Sequence, residues 1–286
     1  MAQDNRVTVV DGLDGAVLGH LDGIVGGSHG VAISASTGKG FTDDGKAGTA
    51  IPFDLRTLEA EKAIAVGADA DTAVIDPVTD HLFIINGDPG TISVIDLRAL
   101  AVIQTIIIGG KLEFAVADGE GHLFVNGEAK REIVRIDTRT GRIEARWGMP
   151  DCVDPHGLAI DPATRRLFSG CTNERMVVMD SISGAIVATV PIGRGSDGVA
   201  FDPKRRRILS ANGLDGTLSV IREVSAEEFV PLEAVQTMVS GRTLTVDPDS
   251  GRIYIAAAET DPAEEPGGRA VPRPGTLRLL FLDPMP

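Results

Sequence analysis

The chain has 286 residues, of which 43% are hydrophobic and 24% charged, so it is long and apolar enough to bury a large core. Its net charge of -14 argues against nucleic-acid binding, which needs a basic surface, and no apolar run approaches the roughly 18 residues of a membrane-spanning helix. The two cysteines are too few for a zinc ribbon, and the start, MAQDNRVTVVDG, lacks the basic and apolar blocks of a signal peptide.

The first predicted elements are two strands in RVTVVDGLDGAVLGHL, and a repeated phrase begins after them. The phrase occurs six times at intervals of 41 to 45 residues, as HGVAISASTGKGFTD, DTAVIDPVTDHLFIIN, EFAVADGEGHLFVNG, HGLAIDPATRRLFSG, DGVAFDPKRRRILSAN and RTLTVDPDSGRIYIAA. A second phrase, such as GTISVIDLRALAVIQTIIIG, follows each copy. Its anchor positions are Asp11, Asp54, Asp96, Asp137, Asp180, Arg222 and Phe281.

Each repeat contains four short β-branched runs, which we name strands a to d. The runs are separated by turn signals such as D-P-x-x, N-G and D-x-x-T-G, and no useful window shows a helical period. Four strands in about 42 residues are typical of one β-propeller blade, with strand a innermost at the central channel. The sequence therefore predicts an all-β propeller in a single domain over residues 1–286.

These repeats resemble the YncE-like family of β-propellers, whose YVTN-type repeat has the consensus G-V-A-V-D-P-x-T-G-R-x-Y-V-x-N, followed by G-T-V-S-V-I-D. The resemblance covers nearly the entire chain. It implies seven blades and export, often to the periplasm. It implies no single activity, because propellers serve as enzymes, as binding proteins and as scaffolds.

The strand count also predicts seven blades, because the c phrase occurs seven times and the a-b phrase six times. The first blade then lacks its a and b strands, which suggests that the chain is a truncated form of a longer precursor. The alternative is six blades, with the N-terminal c and d strands completing the last a and b strands. That arrangement leaves the strand GTLRLLFLD without a place.

The last repeat carries an insertion, TDPAEEPGGRAVPRPG, at residues 260–275 between its b and c strands. The b-c loops share a face with the first residue of every a strand. A long Pro/Gly-rich loop there is either a cover for the channel mouth or a tolerated insertion.

Cys152 and Cys171 are predicted to form a disulfide. Cys152 lies just before an a strand and Cys171 ends the following b strand, and these points meet at one edge of an antiparallel hairpin. A disulfide indicates an oxidising compartment, in agreement with the exported family. Two reduced thiols are the alternative.

Six polar residues begin the a strands and are expected to converge around the propeller axis. We predict His29, His156 and Glu113 as metal ligands and Asp71, Asp197 and Arg242 as ligand-binding residues. Imidazole with carboxylate suits zinc or copper, and carboxylates alone suit calcium. A water-filled channel lined by these residues is the alternative.

The predicted function is an exported propeller that binds a metal ion or small molecule at the channel mouth. One alternative is a metal-dependent hydrolase or lyase that resembles the lactonase-type propellers, and another is a scaffold for a protein partner. No nucleophile and base pair stands out in the sequence, so enzyme activity stays open.

Overall fold

The computed structural model describes residues 6–24, 27–261 and 270–284, and every regular element within them is a β-strand. The chain forms two compact units, Met1–Gly148 and Met149–Pro286. All strand pairs are antiparallel, and we number the sheets of three or more strands as blades 1 to 6. The prediction of a single domain over residues 1–286 stays a prediction.

The first unit contains a two-stranded hairpin and three four-stranded blades. The hairpin is β1 (Arg6–Val10) and β2 (Val17–Asp22), and blade 1 is β3 (Val31–Ser34), β4 (Lys39–Asp44), β5 (Thr49–Asp54) and β6 (Ile64–Ala65). Blade 2 is β7 (Ala70–Asp76), β8 (His81–Asn86), β9 (Thr91–Asp96) and β10 (Ala101–Ile107). Blade 3 is β11 (Leu112–Ala117), β12 (His122–Gly127), β13 (Glu132–Asp137) and β14 (Ile143–Gly148).

The second unit contains blades of four, five and three strands. Blade 4 is β15 (Pro155–Asp161), β16 (Arg166–Cys171), β17 (Arg175–Asp180) and β18 (Ile186–Pro191). Blade 5 is β19 (Ser196–Asp202), β20 (Arg207–Asn212) and β21 (Thr217–Glu223), with an outer strand split into β22 (Phe229–Pro231) and β23 (Val235–Gln236). Blade 6 is β24 (Thr243–Val246), β25 (Ile253–Ala257) and β28 (Arg278–Leu282). The strands β26 (Thr260–Asp261) and β27 (Val271–Pro272) form a separate hairpin within the insertion.

The prediction of seven blades was wrong, because the propeller has six. It assigned a blade to every c phrase, but among the residues that the structure describes the first c strand, β1, pairs only with β2 and forms a separate two-stranded sheet. The six-blade alternative also misplaced this hairpin, because β28 is the third strand of the last blade. Leu21 and Ile24 of the hairpin segment instead pack with Ile51 and Phe53 of blade 1.

The pairing of β25 with β28 also corrects the anchor of the last c phrase. Ile253 pairs with Leu282, which places Asp283 opposite Arg252, and the Arg252 Nε atom lies 2.6 Å from Asp283 Oδ1. Asp283 therefore occupies the position assigned to Phe281 in the sequence. The extra apolar residues of RLLFL shifted that alignment by two positions.

Apolar residues of neighbouring blades pack together within each unit. The third position of the b strand illustrates this packing, because it holds a fully buried aromatic ring in four blades: Phe41, Phe83, Phe124 and Phe168. Phe41 packs with Leu82, Ile84 and Ile95 of the next blade. The core therefore lies between the packed faces of neighbouring blades.

Many of the acidic residues belong to turns. The carboxylate of Asp54 accepts the backbone N–H groups of Arg56 and Thr57, and Asp96 accepts those of Arg98 and Ala99 in the same way. These backbone donors lower the pKa of both carboxyl groups. Part of the net charge of -14 therefore serves the repeat turns, and the overall charge is weak evidence for a cation site.

Candidate functional site

The residues that begin the a strands lie at β-bulges in four of the six blades. The strand register shifts between Ala70 and Thr72, and equivalent shifts occur in β11, β15 and β19. Each shift contains one of the predicted site residues, which are Asp71, Glu113, His156 and Asp197. A bulge takes a residue out of the regular alternation of the strand and re-aims its side chain.

In the second unit, Asp197 contacts the predicted site residues of the blades before and after its own. His156 Nδ1 lies 3.0 Å from Asp197 Oδ1, and Arg242 Nε lies 3.1 Å from Asp197 Oδ2. Because a carboxylate only accepts hydrogen bonds, His156 donates through Nδ1–H, and in the neutral ring Nε2 then carries the lone pair. Asp197 therefore fixes both the tautomer of His156 and the position of the Arg242 guanidinium.

Glycines that follow the site residues allow these a strands to approach closely. Gly198 N donates to the carbonyl of Arg242 at 2.7 Å. A Cβ atom on Gly157 would lie 2.4 Å from the carbonyl oxygen of Asp197 and 2.6 Å from Val199 N. The H-G and D-G pairs in the repeats are therefore required by backbone contact, and this contact brings His156 within reach of Asp197.

In the first unit, His29 and Asp71 come together beside a buried acid that the sequence analysis missed. His29 Nδ1 lies 3.6 Å from Asp71 Oδ1 and 3.8 Å from Asp43 Oδ1. Asp43 is fully buried on β4, and its two oxygens accept the backbone N–H groups of His29 and Gly30 at 2.7 and 2.6 Å. The sequence signal for Asp43 was an acid at the fifth b-strand position, where blades 2 to 5 have Ile85, Asn126, Gly170 and Ala211.

Glu113, the third predicted site residue of this unit, forms an ion pair. Lys111 Nζ lies 2.9 Å from Glu113 Oε1 and 2.6 Å from Glu128 Oε2. Partial burial lowers the pKa of Lys111, but its hydrogen bonds to Glu128 and Glu113 outweigh this effect and raise it overall. Neither Lys111 nor Glu128 was predicted from the sequence. Convergence of all six predicted residues stays a prediction.

The disulfide prediction was confirmed. Cys152 and Cys171 are bonded with their Cα atoms 5.4 Å apart, and both residues are fully buried. Cys171 pairs with Pro155, the residue before His156. The bond therefore holds the start of β15 next to the site in the second unit.

The inserted segment, residues 260–275, begins with β26, which pairs with β27 near the end of the segment. Arg273 forms ion pairs with Asp261 and Glu259, and these pairs fix the base of the hairpin. Residues 262–269 lie outside the described part of the chain, so a role for this segment as a cover stays a prediction.

A cleft of about 500 Å³ lies in the second unit between β18 and the split outer strand of blade 5. Ile192, Val220 and Leu232 contribute to its apolar lining, and Asp215 lies among its polar residues. None of the residues predicted from the sequence lines this cleft.

We expect the stability of the protein to fall as pH rises from about 4 to 8 because of Asp43. Burial raises the pKa of the Asp43 carboxyl to about 8, although the N–H groups of His29 and Gly30 oppose this effect. Over this range the native state retains a proton that the unfolded chain has lost, so the free energy of unfolding decreases by up to about 1.4 kcal/mol per pH unit.

Urea denaturation at several pH values in EDTA measures this slope. Asp43→Asn removes the titrating carboxyl and should flatten the profile, whereas Asp14→Asn in the exposed β1–β2 turn should leave it unchanged. Equal slopes for the wild type and Asp43→Asn would show that Asp43 does not carry the effect.

Comparisons with known proteins support the fold. No family model matches the sequence, and no curated protein matches it. The structure is similar to a hydrazine synthase from Kuenenia stuttgartiensis, with a TM-score of 0.67 and 18% identity over 80% of this chain and 73% of that one. It is also similar to a chain of a mitotic checkpoint complex, with a TM-score of 0.77 and 18% identity over 88% of this chain and 78% of that one.

A third similar structure is the dihydro-heme d1 dehydrogenase NirN in complex with DHE, with a TM-score of 0.69 and 19% identity over 90% of this chain and 57% of that one. Identities this low show a shared β-propeller fold and carry no activity across. The described residues contain no helix with the length and apolar character to span a membrane.

Proposed function

We propose that this protein is an exported β-propeller of the YncE-like type that binds a small ligand or divalent metal ion through residues at the starts of its a strands. The contact of Asp197 with both His156 and Arg242 carries this proposal. The Cys152–Cys171 disulfide supports an oxidising compartment such as the periplasm.

The arrangement in the second unit suits a small ligand that carries an anionic group. Arg242 uses Nε to contact Asp197, its side chain is half exposed, and a guanidinium has four further N–H donors. His156 is held in one orientation by the same carboxylate. A carboxylate or phosphate group on a ligand matches the planar donors of arginine.

The arrangement in the first unit suits a divalent metal ion. The 3.6 Å between His29 Nδ1 and Asp71 Oδ1 is close to the roughly 3.4 Å between two ligands of a tetrahedral zinc ion. Imidazole with carboxylate favours zinc or copper over calcium. The bound ion would supply Lewis-acid character, and His29 and Asp71 would hold it.

Isothermal titration of EDTA-treated protein with zinc chloride and, separately, calcium chloride tests the metal proposal. We expect one equivalent of zinc to bind and calcium to bind more weakly. His29→Ala and Asp71→Asn should each weaken zinc binding roughly tenfold or more. His20→Ala is the matched control, because His20 contacts Thr8 in the β1–β2 hairpin and should leave binding unchanged.

Two results would contradict the metal proposal. One is the absence of zinc binding by the wild type at about millimolar metal, which lies at the weak end of specific affinities. The other is equal binding by the wild type and the two site variants.

The pair of Asp197 and His156 also favours a second candidate function, a hydrolase or lyase of the lactonase-like type. A carboxylate that orients a histidine through Nδ1 is the arrangement of a general base. Lactone and ester substrates test this function. Asp197→Asn should abolish turnover if His156 acts as the base, and inactivity of the wild type on both substrate classes would leave binding as the function.

A further inference from the structure

A buried glutamate of blade 5 lies against the a-b turn of blade 4. The residue that follows the c-strand anchor is uncharged in blades 1 to 4 and acidic in blade 5: Leu55, Leu97, Thr138, Ser181 and Glu223. The Glu223 side chain is fully buried at the end of β21, where it contacts Thr164 and Asp161. Thr164 lies in the turn between β15 and β16, so this contact joins two neighbouring blades of the second unit.

The hydroxyl of Thr164 lies between two buried carboxyl groups. Thr164 Oγ1 is 2.8 Å from Asp161 Oδ2 and 2.7 Å from Glu223 Oε1, and the two acids are 5% and 2% exposed. A hydroxyl has a single hydrogen, so Thr164 can donate to one of the carboxyl groups but not to both. The other short contact is a hydrogen bond only when that carboxyl is protonated and donates to Oγ1. The arrangement therefore requires that the pair of acids share one proton.

Blade 2 has the same turn without a second acid. The Thr79 hydroxyl donates to Asp76 Oδ2 at 2.8 Å, and among the described residues it has no other hydrogen-bond partner. A hydroxyl with one acceptor needs no additional proton on that acceptor. The need for a shared proton in blade 4 therefore comes from Glu223.

Burial and the neighbouring acid place the shared proton on Glu223. Burial raises the pKa of the Glu223 carboxyl, and contact with Asp161 also raises it, whereas Thr164 and Arg206 lower it. Arg206 Nη2 lies 3.5 Å from Glu223 Oε2, which has no hydrogen-bond donor among the described residues. The Arg206 side chain is also 45% exposed, so it compensates only part of a negative charge on Glu223.

Arg166 forms a second contact between these blades. Its Nε atom donates to the carbonyl of Ala226, in the connection after β21, at 2.7 Å, and its Nη1 atom lies 2.6 Å from Asp180 Oδ2. Because Asp180 already neutralises Arg166, this arginine does not supply a counter-ion for a negatively charged Glu223. The pair of Asp161 and Glu223 therefore depends on its proton.

We propose that Asp161, Thr164 and Glu223 form a pH-sensitive latch between blades 4 and 5, which is closed while the two carboxyl groups share one proton and open once that proton is lost. In the closed latch, Glu223 donates to Thr164 Oγ1 and Thr164 donates to Asp161. In the open latch, two buried carboxylates face each other and Thr164 can donate to only one of them. The end of β21 then separates from the turn of blade 4. The latch is separate from the sites at the starts of the a strands.

The contribution of the latch to stability has a defined pH window. It is complete below about pH 4.3, where the carboxyl of an unfolded chain is also protonated. It is lost as pH rises through the raised pKa of Glu223, because the unfolded chain has by then released the proton that the native state retains.

Carboxyl ¹³C NMR of the full chain tests the proton directly. Glu223 should retain its proton at about pH 6, where an ordinary glutamate is ionised. As pH rises, the amide resonances of Thr164 and Ala226 should shift with the same midpoint as the Glu223 carboxyl carbon, whereas the Thr79 amide should not. In the Glu223→Gln variant, the side-chain amide donates to Thr164 without a titrating proton, so the shifts at Thr164 and Ala226 should disappear.

Thr164→Val and Thr79→Val test the contact by urea denaturation. Below the midpoint of the Glu223 titration, Thr164→Val loses two hydrogen bonds and Thr79→Val loses one, so Thr164→Val should lower the urea midpoint roughly twice as much. Above that midpoint Thr164 donates to a single carboxylate, and the two variants should have similar effects. Asp43 titrates in both variants, so its influence cancels from the comparison.

Three results would overturn the proposal. The first is a Glu223 carboxyl that is already ionised at about pH 6. The second is a Glu223 titration that leaves the amides of Thr164 and Ala226 unchanged. The third is an equal difference between the two valine variants below and above the Glu223 midpoint, which would make Thr164 a structural residue without a role in a latch.

Discussion

Removal of the Cys152–Cys171 disulfide is expected to lower the free energy of unfolding by about 3 kcal/mol. The bond joins residues 19 positions apart, and a loop of this length restricts the unfolded chain by about that amount in the chain-entropy model. Both cysteines are fully buried, so the double variant Cys152→Ala/Cys171→Ala also loses packing in blade 4. Urea denaturation of the wild type with and without a phosphine reductant measures the effect of the bond alone.

The double variant serves as the control, since the reductant should leave its denaturation curve unchanged. The same bond holds the start of β15, so its loss should also weaken the contact of His156 with Asp197. A wild-type protein with the same urea midpoint in both conditions would contradict the predicted stabilisation.

Gly157→Ala is expected to destabilise the protein by about 2–3 kcal/mol, the upper part of the range for overpacked sites. The new Cβ atom would lie 2.4 Å from Asp197 O and 2.6 Å from Val199 N, and both are backbone atoms that no side-chain rotation moves away. The strands β15 and β19 must therefore separate. The loss should be visible in urea denaturation and in weaker ligand binding at His156.

Gly148→Ala is the matched control for this prediction. Gly148 is also in a β-strand, but a Cβ atom there would meet nothing within 4 Å. The free energy of unfolding of the Gly148→Ala variant should stay within about 0.5 kcal/mol of the wild type, as for other substitutions at unpacked surface positions. Equal stabilities of the two alanine variants would show that the approach of the a strands imposes no constraint.

The repeats predicted the blades well because each one encodes its own turns and strands. The D-x-x-T-G carboxylates and the alternating strands act within a single repeat. The turns and strands that they form therefore depend on local sequence. The number of blades depends on which strands pair, and this is not local. β1 has the sequence of a c strand, but in the described part of the chain no b strand pairs with it. The alignment of the last c phrase missed Asp283 by two residues.

The candidate site was predicted in part. The repeat spacing identified the residues that begin the a strands. Of these, His29 contacts Asp71 in the first unit, and Asp197 contacts His156 and Arg242 in the second. The partners Asp43, Lys111 and Glu128 were missed because they lie outside the repeated position. The distances between the site residues and these partners depend on bulges and backbone contacts. The spacing of the repeats does not reveal either feature.

Long-range ¹H–¹⁵N NMR of the histidine side chains tests most directly whether Asp197 orients His156 in the proposed site. At about pH 8, where an ordinary histidine is neutral, we predict that the proton of His156 is on Nδ1 and that Asp197→Asn shifts the population toward Nε2–H. Addition of an anionic ligand such as inorganic phosphate should then shift the His156 and Arg242 resonances together. A neutral wild-type His156 with its proton on Nε2, or a tautomer that Asp197→Asn leaves unchanged, would show that Asp197 does not orient His156.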